Sequence, residues 1–170
     1  LEFRRVLFRS SIRLKDSLLP NTTYHIDFGN AIKDINEGNL LRDFSYTFST
    51  GTHIDSLTVT GKVKMAETGK TDSTMIVLLY RNAPDSSVTS RKPDYIAKVR
   101  GDGSFSFTNL PGDHFNIYAL KDGDGNKFYN TNTEAFAFYD EEINSAMPSK
   151  IELLAFTEKQ NPPAQVSPPT

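Results

Sequence analysis

The segment Asp122-Gly123-Asp124-Gly125-Asn126 carries side-chain oxygens at positions 1, 3 and 5 of a loop. That spacing lets them converge on a hard cation, so calcium is the one cofactor the sequence raises, with Asp122, Asp124 and Asn126 as ligands. An EF-hand would continue with Gly at position 6 and a bidentate Glu at position 12; this chain has Lys127 and Thr133 there, and Glu134 comes one residue late. The same residues suit a Gly-rich hairpin loop, because Asp and Asn favour turns. A site with so few carboxylates would hold calcium at roughly 0.1 to 1 mM, the extracellular range.

Other chemistry is thinner. Arg100-Gly101-Asp102 spells an adhesion tripeptide at an expected hairpin tip, where a Gly-Asp-Gly turn is the plainer reading. Hydrolysis through a Ser-His-Asp triad would have to use His25, His53 or His114, the three imidazoles of the chain. There is no Gly-x-Ser-x-Gly elbow, no His-Glu-x-x-His helix and no phosphate-binding glycine loop. With no Cys, thiol nucleophiles, disulfides and Cys-based zinc sites are excluded. No catalytic residue is assigned, and the chain is read as a non-enzyme. Tyr118, Tyr129 and Tyr139 fall outside the simplest core face or in loops, where a tyrosine ring can stack on a sugar while its hydroxyl hydrogen-bonds. Half-buried strand tyrosines would look the same. Asn21-Thr22-Thr23 is formally a glycosylation sequon and equally a strand-entry turn.

Charge narrows the partners. The 170 residues hold 19 Lys plus Arg against 21 Asp plus Glu. Arg4, Arg5, Arg9, Arg13 and Lys15 crowd the start beside a single acid, Glu2, leaving 14 basic and 20 acidic residues from position 16 onward. An acidic body lacks the cations that displace counterions from nucleic acid, so no nucleic-acid partner is expected. Residues 1–10 open without Met, and codons for Leu7-Phe8-Arg9-Ser10 can spell the end of a sequencing adapter. They are expected to be non-native and are set aside from fold reasoning. The longest apolar run, Met75 to Tyr80, is far below the roughly 18 to 20 residues of a membrane span.

The elements that must position these side chains are strands. Tyr24, Ile26 and Phe28 alternate with polar residues, as do Phe44, Tyr46 and Phe48. A polar hinge at Thr50-Gly51-Thr52-His53 precedes a second series led by Leu57, Val59, Gly61 and Val63. Met75 to Tyr80 is apolar throughout, as a central strand buried on both faces would be. Tyr95, Ala97 and Val99 lead into Gly101-Asp102-Gly103, and Phe105 and Phe107 lead out, which reads as a hairpin. Asn109-Leu110-Pro111-Gly112-Asp113 turns the chain into Phe115, Ile117 and Ala119; a loop from Lys121 to Thr133 precedes Phe136 and Phe138, and Ile151 to Phe156 closes the series. The chain is expected to be all-β, with about seven strands of a two-sheet sandwich between Ser56 and Thr157. Residues 11–51 hold two or three strands, too few to stand alone, so they read as the C-terminal part of a truncated domain. Their aromatic faces should therefore be incompletely buried. Residues 52–157 form the self-sufficient domain, and residues 158–170, with Pro162, Pro163, Pro168 and Pro169, a Pro-rich tail or linker.

Two sets of motifs carry resemblances. Leu18-Leu19-Pro20-Asn21-Thr22-Thr23-Tyr24, then Asp34-Ile35-Asn36-Glu37-Gly38-Asn39, then Phe44-Ser45-Tyr46-Thr47-Phe48-Ser49-Thr50-Gly51, resembles the second half of the bacterial Ig-like domain of the surface-layer type. Val59-Thr60-Gly61-Lys62-Val63, Gly103-Ser104-Phe105-Ser106-Phe107 and Asn109-Leu110-Pro111-Gly112 are similar to the carboxypeptidase-regulatory-like group of prealbumin-like sandwiches. Together the resemblances imply a non-catalytic structural or adhesive module of a bacterial cell-envelope or extracellular multidomain protein. Its partners would be other domains of the same chain, or a glycan or surface protein. The alternative they leave open is a glycan- or peptide-binding module working through exposed Tyr residues or a sheet edge.

Overall fold

The computed structural model describes residues 13–14, 17–34, 36–42, 44–147 and 150–158. Residues 1–10 and all but the first residue of the Pro-rich stretch lie outside them. The chain divides into two compact units, residues 1–54 and residues 55–170.

In the first unit, β1 (Thr23–Asp27) and β2 (Ser45–Ser49) pair antiparallel, Thr23 opposite Ser49 and Asp27 opposite Ser45. The register stacks Tyr24 on Phe48 at 5.5 Å between ring centroids and sets Phe28 beside Phe44 at the same spacing. The sequence motifs form the ends of this ribbon. The Thr50 hydroxyl donates to the Leu19 carbonyl (2.7 Å) and accepts from the Thr22 amide (3.0 Å), clasping entry to exit. The Asp34 carboxylate accepts from the amides of Asn36 (2.6 Å) and Glu37 (3.3 Å), folding the turn between the strands. None of Tyr24, Ile26, Phe28, Phe44, Tyr46 and Phe48 is fully buried, and Tyr46 is 55% exposed. A two-stranded ribbon has no second layer with which to cover them.

The second unit contains β3 (Leu57–Met65), β4 (Ile76–Arg81), the one-turn helix α1 (Ser87–Ser90), β5 (Tyr95–Lys98), β6 (Ser104–Leu110), β7 (His114–Leu120), β8 (Phe136–Phe138), β9 (Ile143–Asn144) and β10 (Ile151–Ala155). The eight strands among its described residues make two sheets. One runs β10-β3-β6; the other runs β5-β4-β7-β8, with β9 on the far end of β7. Inward residues of both meet in one core: Val59, Val63, Phe105, Phe107 and Leu153 from the first sheet, and Val77, Leu79, Phe115, Ile117 and Ala119 from the second. This is a β-sandwich of Ig-like type, as the alternation predicts.

Gly61 has a packing reason. It lies between Phe105 on β6 and Ile151 on β10, and a Cβ there would stand 2.5 Å from the Phe105 ring and 2.6 Å from the Ile151 carbonyl. Only hydrogen fits beneath the ring.

Pairing departs from expectation at one turn. The Gly101-Asp102-Gly103 turn forms, with Gly103 at a φ of 81° and its amide donating to the Arg100 carbonyl. Its flanking strands do not pair as a hairpin. β5 pairs with β4 and β6 with β3, so the chain crosses there from one sheet to the other. The crossing sends Phe105 and Phe107 into the core from the opposite side to Val77 and Leu79. β10 runs parallel to β3, Ile151 opposite Gly61 and Ala155 opposite Met65, an arrangement no local pattern announces.

The run from Met75 to Tyr80 is buried on both faces because a second apolar cluster covers the outer side of β4 and β7. Leu78, Tyr80, Tyr118 and Leu120 lie there under Ala83 and Val88, with Tyr129 and Phe136 packed against them. The Tyr129 amide donates to the Val88 carbonyl at 3.0 Å, tying the long loop to the segment around α1.

Candidate functional site

The long loop between β7 and β8 is positioned by their pairing. Tyr118 faces Phe138 and Leu120 faces Phe136, and the Lys121 amide continues the ladder to the Ala135 carbonyl at 2.8 Å. Asp122 and Glu134 are the next residues beyond that bond on the two arms of the loop. Asp124 lies two residues into the turn, and one oxygen from each of Asp122, Asp124 and Glu134 lies within 4.8 Å of the others. This hairpin register is what reading the loop against an EF-hand missed, since Glu134 arrives from the returning strand and its position counted along the loop is irrelevant.

The donors around the three carboxylates are unequal. Asp124 is exposed and accepts from the Asn126 amide (3.0 Å) and from the side-chain nitrogens of Asn126 (2.7 Å) and Asn130 (3.3 Å). Glu134 is buried and accepts long bonds from the amides of Gly123 (3.3 Å) and Asn130 (3.4 Å). The Asp122 side chain is 3% exposed, and its Oδ2 accepts from Lys127 Nζ at 2.6 Å. Its Oδ1 is buried with no hydrogen-bond partner. Burial alone would raise the Asp122 pKa, but the Lys127 ammonium, with the amides of Lys127 and Gly125, outweighs it and holds the carboxyl below the usual carboxylate range. The Asn126 side-chain oxygen accepts from the Phe128 amide at 2.6 Å, which engages one of its two lone pairs. The arrangement offers three oxygen ligands and neither nitrogen nor sulfur, the donor set of a hard cation.

The three tyrosines are not a common platform. Tyr118 is buried, not exposed, because the second apolar cluster covers its face of β7, and its hydroxyl donates to Asp85 at 2.7 Å. Tyr129 is half-buried and stacks on Phe136 at 4.4 Å between centroids, while Tyr139 packs against the main core. Tyr139 also joins exposed apolar surface: with Phe138, Leu154 and Phe156 it lines a shallow cavity of about 430 Å³ rimmed by Asp140, Glu141 and Glu152.

The remaining motifs resolve into local structure. The Asp102 carboxylate accepts from the Ser104 amide (3.0 Å) and hydroxyl (2.7 Å), and these bonds hold its pKa below the ordinary value. Arg100, Gly101 and Asp102 are thus exposed, with the acid engaged in its own turn. His25 Nδ1 meets the Thr47 hydroxyl at 2.9 Å and His114 Nε2 meets Asn144 at 3.4 Å; neither contact joins imidazole to a carboxylate. Asn21 adopts a positive φ of 48° at the entry to β1, the conformation of a turn residue.

No helix among the described residues is long and apolar enough to cross a membrane. No curated protein and no solved structure gives a significant match to the chain. The sequence model of the bacterial Ig-like domain family, generally non-catalytic and typical of surface proteins, does match, and it covers residues 9–50. The ribbon of β1 and β2, with its clasped ends and Asp34 turn, therefore lies in a segment of bacterial Ig-like type.

Proposed function

We propose that the chain is a non-catalytic structural spacer of a bacterial cell-envelope or exported multidomain protein, an Ig-like segment followed by a prealbumin-like sandwich of the carboxypeptidase-regulatory-like group. The observation that carries the reading is the parallel pairing of β3 and β10, the first and last strands among the described residues of the second unit. The chain enters that unit at Leu57 and leaves beside Met65, eight residues along the same ladder, or about 26 Å away at roughly 3.3 Å per residue. A module entered at one end and left at the other extends a chain in line. The family match of residues 9–50 supports the bacterial surface setting. The test is protease shaving of intact bacteria expressing the natural gene with an epitope tag inserted after residue 158. Removal of the tag by external protease is expected; cleavage only after lysis overturns the envelope placement.

A second reading, a ligand-binding module, is favoured by one feature, the exposed Phe138, Leu154 and Phe156 with their acidic rim. It keeps Tyr139 of the three tyrosines and moves the rest of the binding surface to β8, β10 and Phe156. Screening the purified chain against glycan and basic-apolar peptide arrays tests it, with Phe156→Ser expected to remove any signal; silence of both arrays dismisses it.

A further inference from the structure

We propose that the base of the β7–β8 hairpin is a calcium site formed by Asp122, Asp124 and Glu134, with Lys127 standing in for the ion when calcium is low. Three carboxylates converge within 4.8 Å; even at that limit their common centre is about 2.8 Å from each oxygen, so a small inward adjustment brings one oxygen of each to a calcium bond of ~2.4 Å. Such a cluster of acids is common on protein surfaces, but here Glu134 is buried and Asp122 is half-buried with its side chain turned inward. The Asp122 side chain is almost wholly enclosed, and its Oδ1 has no donor. A buried carboxylate oxygen without a partner is a costly arrangement that native structures rarely leave uncompensated. Glu134, 9% exposed, accepts amide bonds at 3.3 and 3.4 Å, both long. Against three negative charges the loop supplies one ammonium, Lys127 Nζ, and it takes the other oxygen of Asp122. The site is therefore under-neutralised, with an Asp122 oxygen open to a divalent ion whose charge would repel the Lys127 ammonium from the other oxygen.

The donor chemistry selects the ion. All ligands are oxygens, and the loop carrying Asp124 is open, with nothing within 4 Å of where side chains at Gly123 or Gly125 would project. Water can complete the shell of an ion that accepts six to eight ligands in irregular geometry, which suits calcium better than the stricter octahedron of magnesium. Three protein carboxylates, opposed by a nearby ammonium, place the affinity in the weak extracellular class, roughly 0.1 to 1 mM. Lys127 sits at a φ of 69°, so the chain holds a long basic side chain where Gly or Asn would be easier. Its amine returns to Asp122 and neutralises it without the ion.

Calcium then competes with Lys127, and this gives the experiment its sign. Thermal melting and titration calorimetry of the whole chain would be run in EGTA, in 10 mM CaCl2 and in 10 mM MgCl2. Calcium is expected to raise the melting temperature by about 5 °C, and magnesium by much less. Glu134→Gln and Asp124→Asn, one in the loop and one at its edge, should fold and lose the shift. Lys127→Asn keeps a residue suited to positive φ and removes the ammonium; its melting temperature in EGTA should fall while its calcium affinity rises about tenfold. Equal shifts in the two salts, persistence of the shift in both acid variants, or absence of calcium heat in both the parent chain and Lys127→Asn would each overturn the site.

Discussion

Asp122 and Glu134 face one another across the base of the β7–β8 hairpin, two register steps beyond the paired Leu120 and Phe136, although twelve positions separate them in the chain. The strand pairing that ends at Leu120 and Phe136 returns the chain so that the two acids meet from opposite arms of the loop.

The same logic applies to Gly61, where two neighbouring strands leave no room for a methyl group. Gly61→Ala would force its Cβ against the Phe105 ring and the Ile151 carbonyl, and a backbone atom cannot move aside as a flexible side chain can. A loss of about 1–3 kcal/mol is expected from overpacking, read as a lower urea midpoint with unchanged slope. Wild-type stability in this variant would refute the close approach.

Leu153 and Leu154 are adjacent on β10 and point to opposite faces. Leu153 is fully buried in the core and Leu154 is exposed. Leu153→Ala should cost about 2–5 kcal/mol and Leu154→Ala less than about 0.5 kcal/mol. Chemical denaturation of the two variants checks the strand register, since a one-residue slip would reverse the ranking.

Tyr118→Phe removes one donor to Asp85 while leaving the Asn116 side chain on the same oxygen at 2.9 Å. A loss of about 1 kcal/mol follows, with no change of fold. An unaltered urea midpoint would mean that the hydroxyl contributes nothing to the second apolar cluster.

Acid stability should depend on Asp72. The Thr74 hydroxyl and Lys121 Nζ, at 2.6 and 2.9 Å, with the Thr74 amide, bring its pKa from 3.8 down to about 2. A carboxylate depressed in the folded state gives stability that is full above the unfolded value and lost as pH falls through the folded one. Stability is therefore expected to decline between about pH 4 and pH 2, with a shallower decline in Asp72→Asn. Urea midpoints at pH 5 and pH 2.5 measure the difference; identical slopes for the two proteins would remove Asp72 from the acid limb.

Much of the sandwich was legible because burial on one face writes itself as alternation, as in Val59 and Val63 or Phe105 and Phe107. The two-faced burial of Val77 through Tyr80 was legible as an unbroken apolar run. Partner choice was not. The Gly101–Gly103 turn looks the same whether its strands pair or part, and the decision rests with β3 and β4, far away in sequence. The parallel approach of β10 to β3 links residues about ninety positions apart and leaves no local trace. Helix α1 is too short to show a period. Tyr118 looked exposed because alternation marks only the inner face, and the cover over its own side comes from Val88 and the long loop. At the candidate site, Asp122 and Asp124 were visible as loop oxygens, while Glu134 could be found only through strand register.

The parallel ladder between β3 and β10 also decides how the second unit answers mechanical tension. Force applied at its two ends would drag these neighbours lengthwise past each other, so the rungs from Gly61–Ile151 to Met65–Ala155 must rupture together. A hairpin pulled from its open end surrenders one rung at a time. The last strand among the described residues thus acts as a clamp on the strand that opens the sandwich.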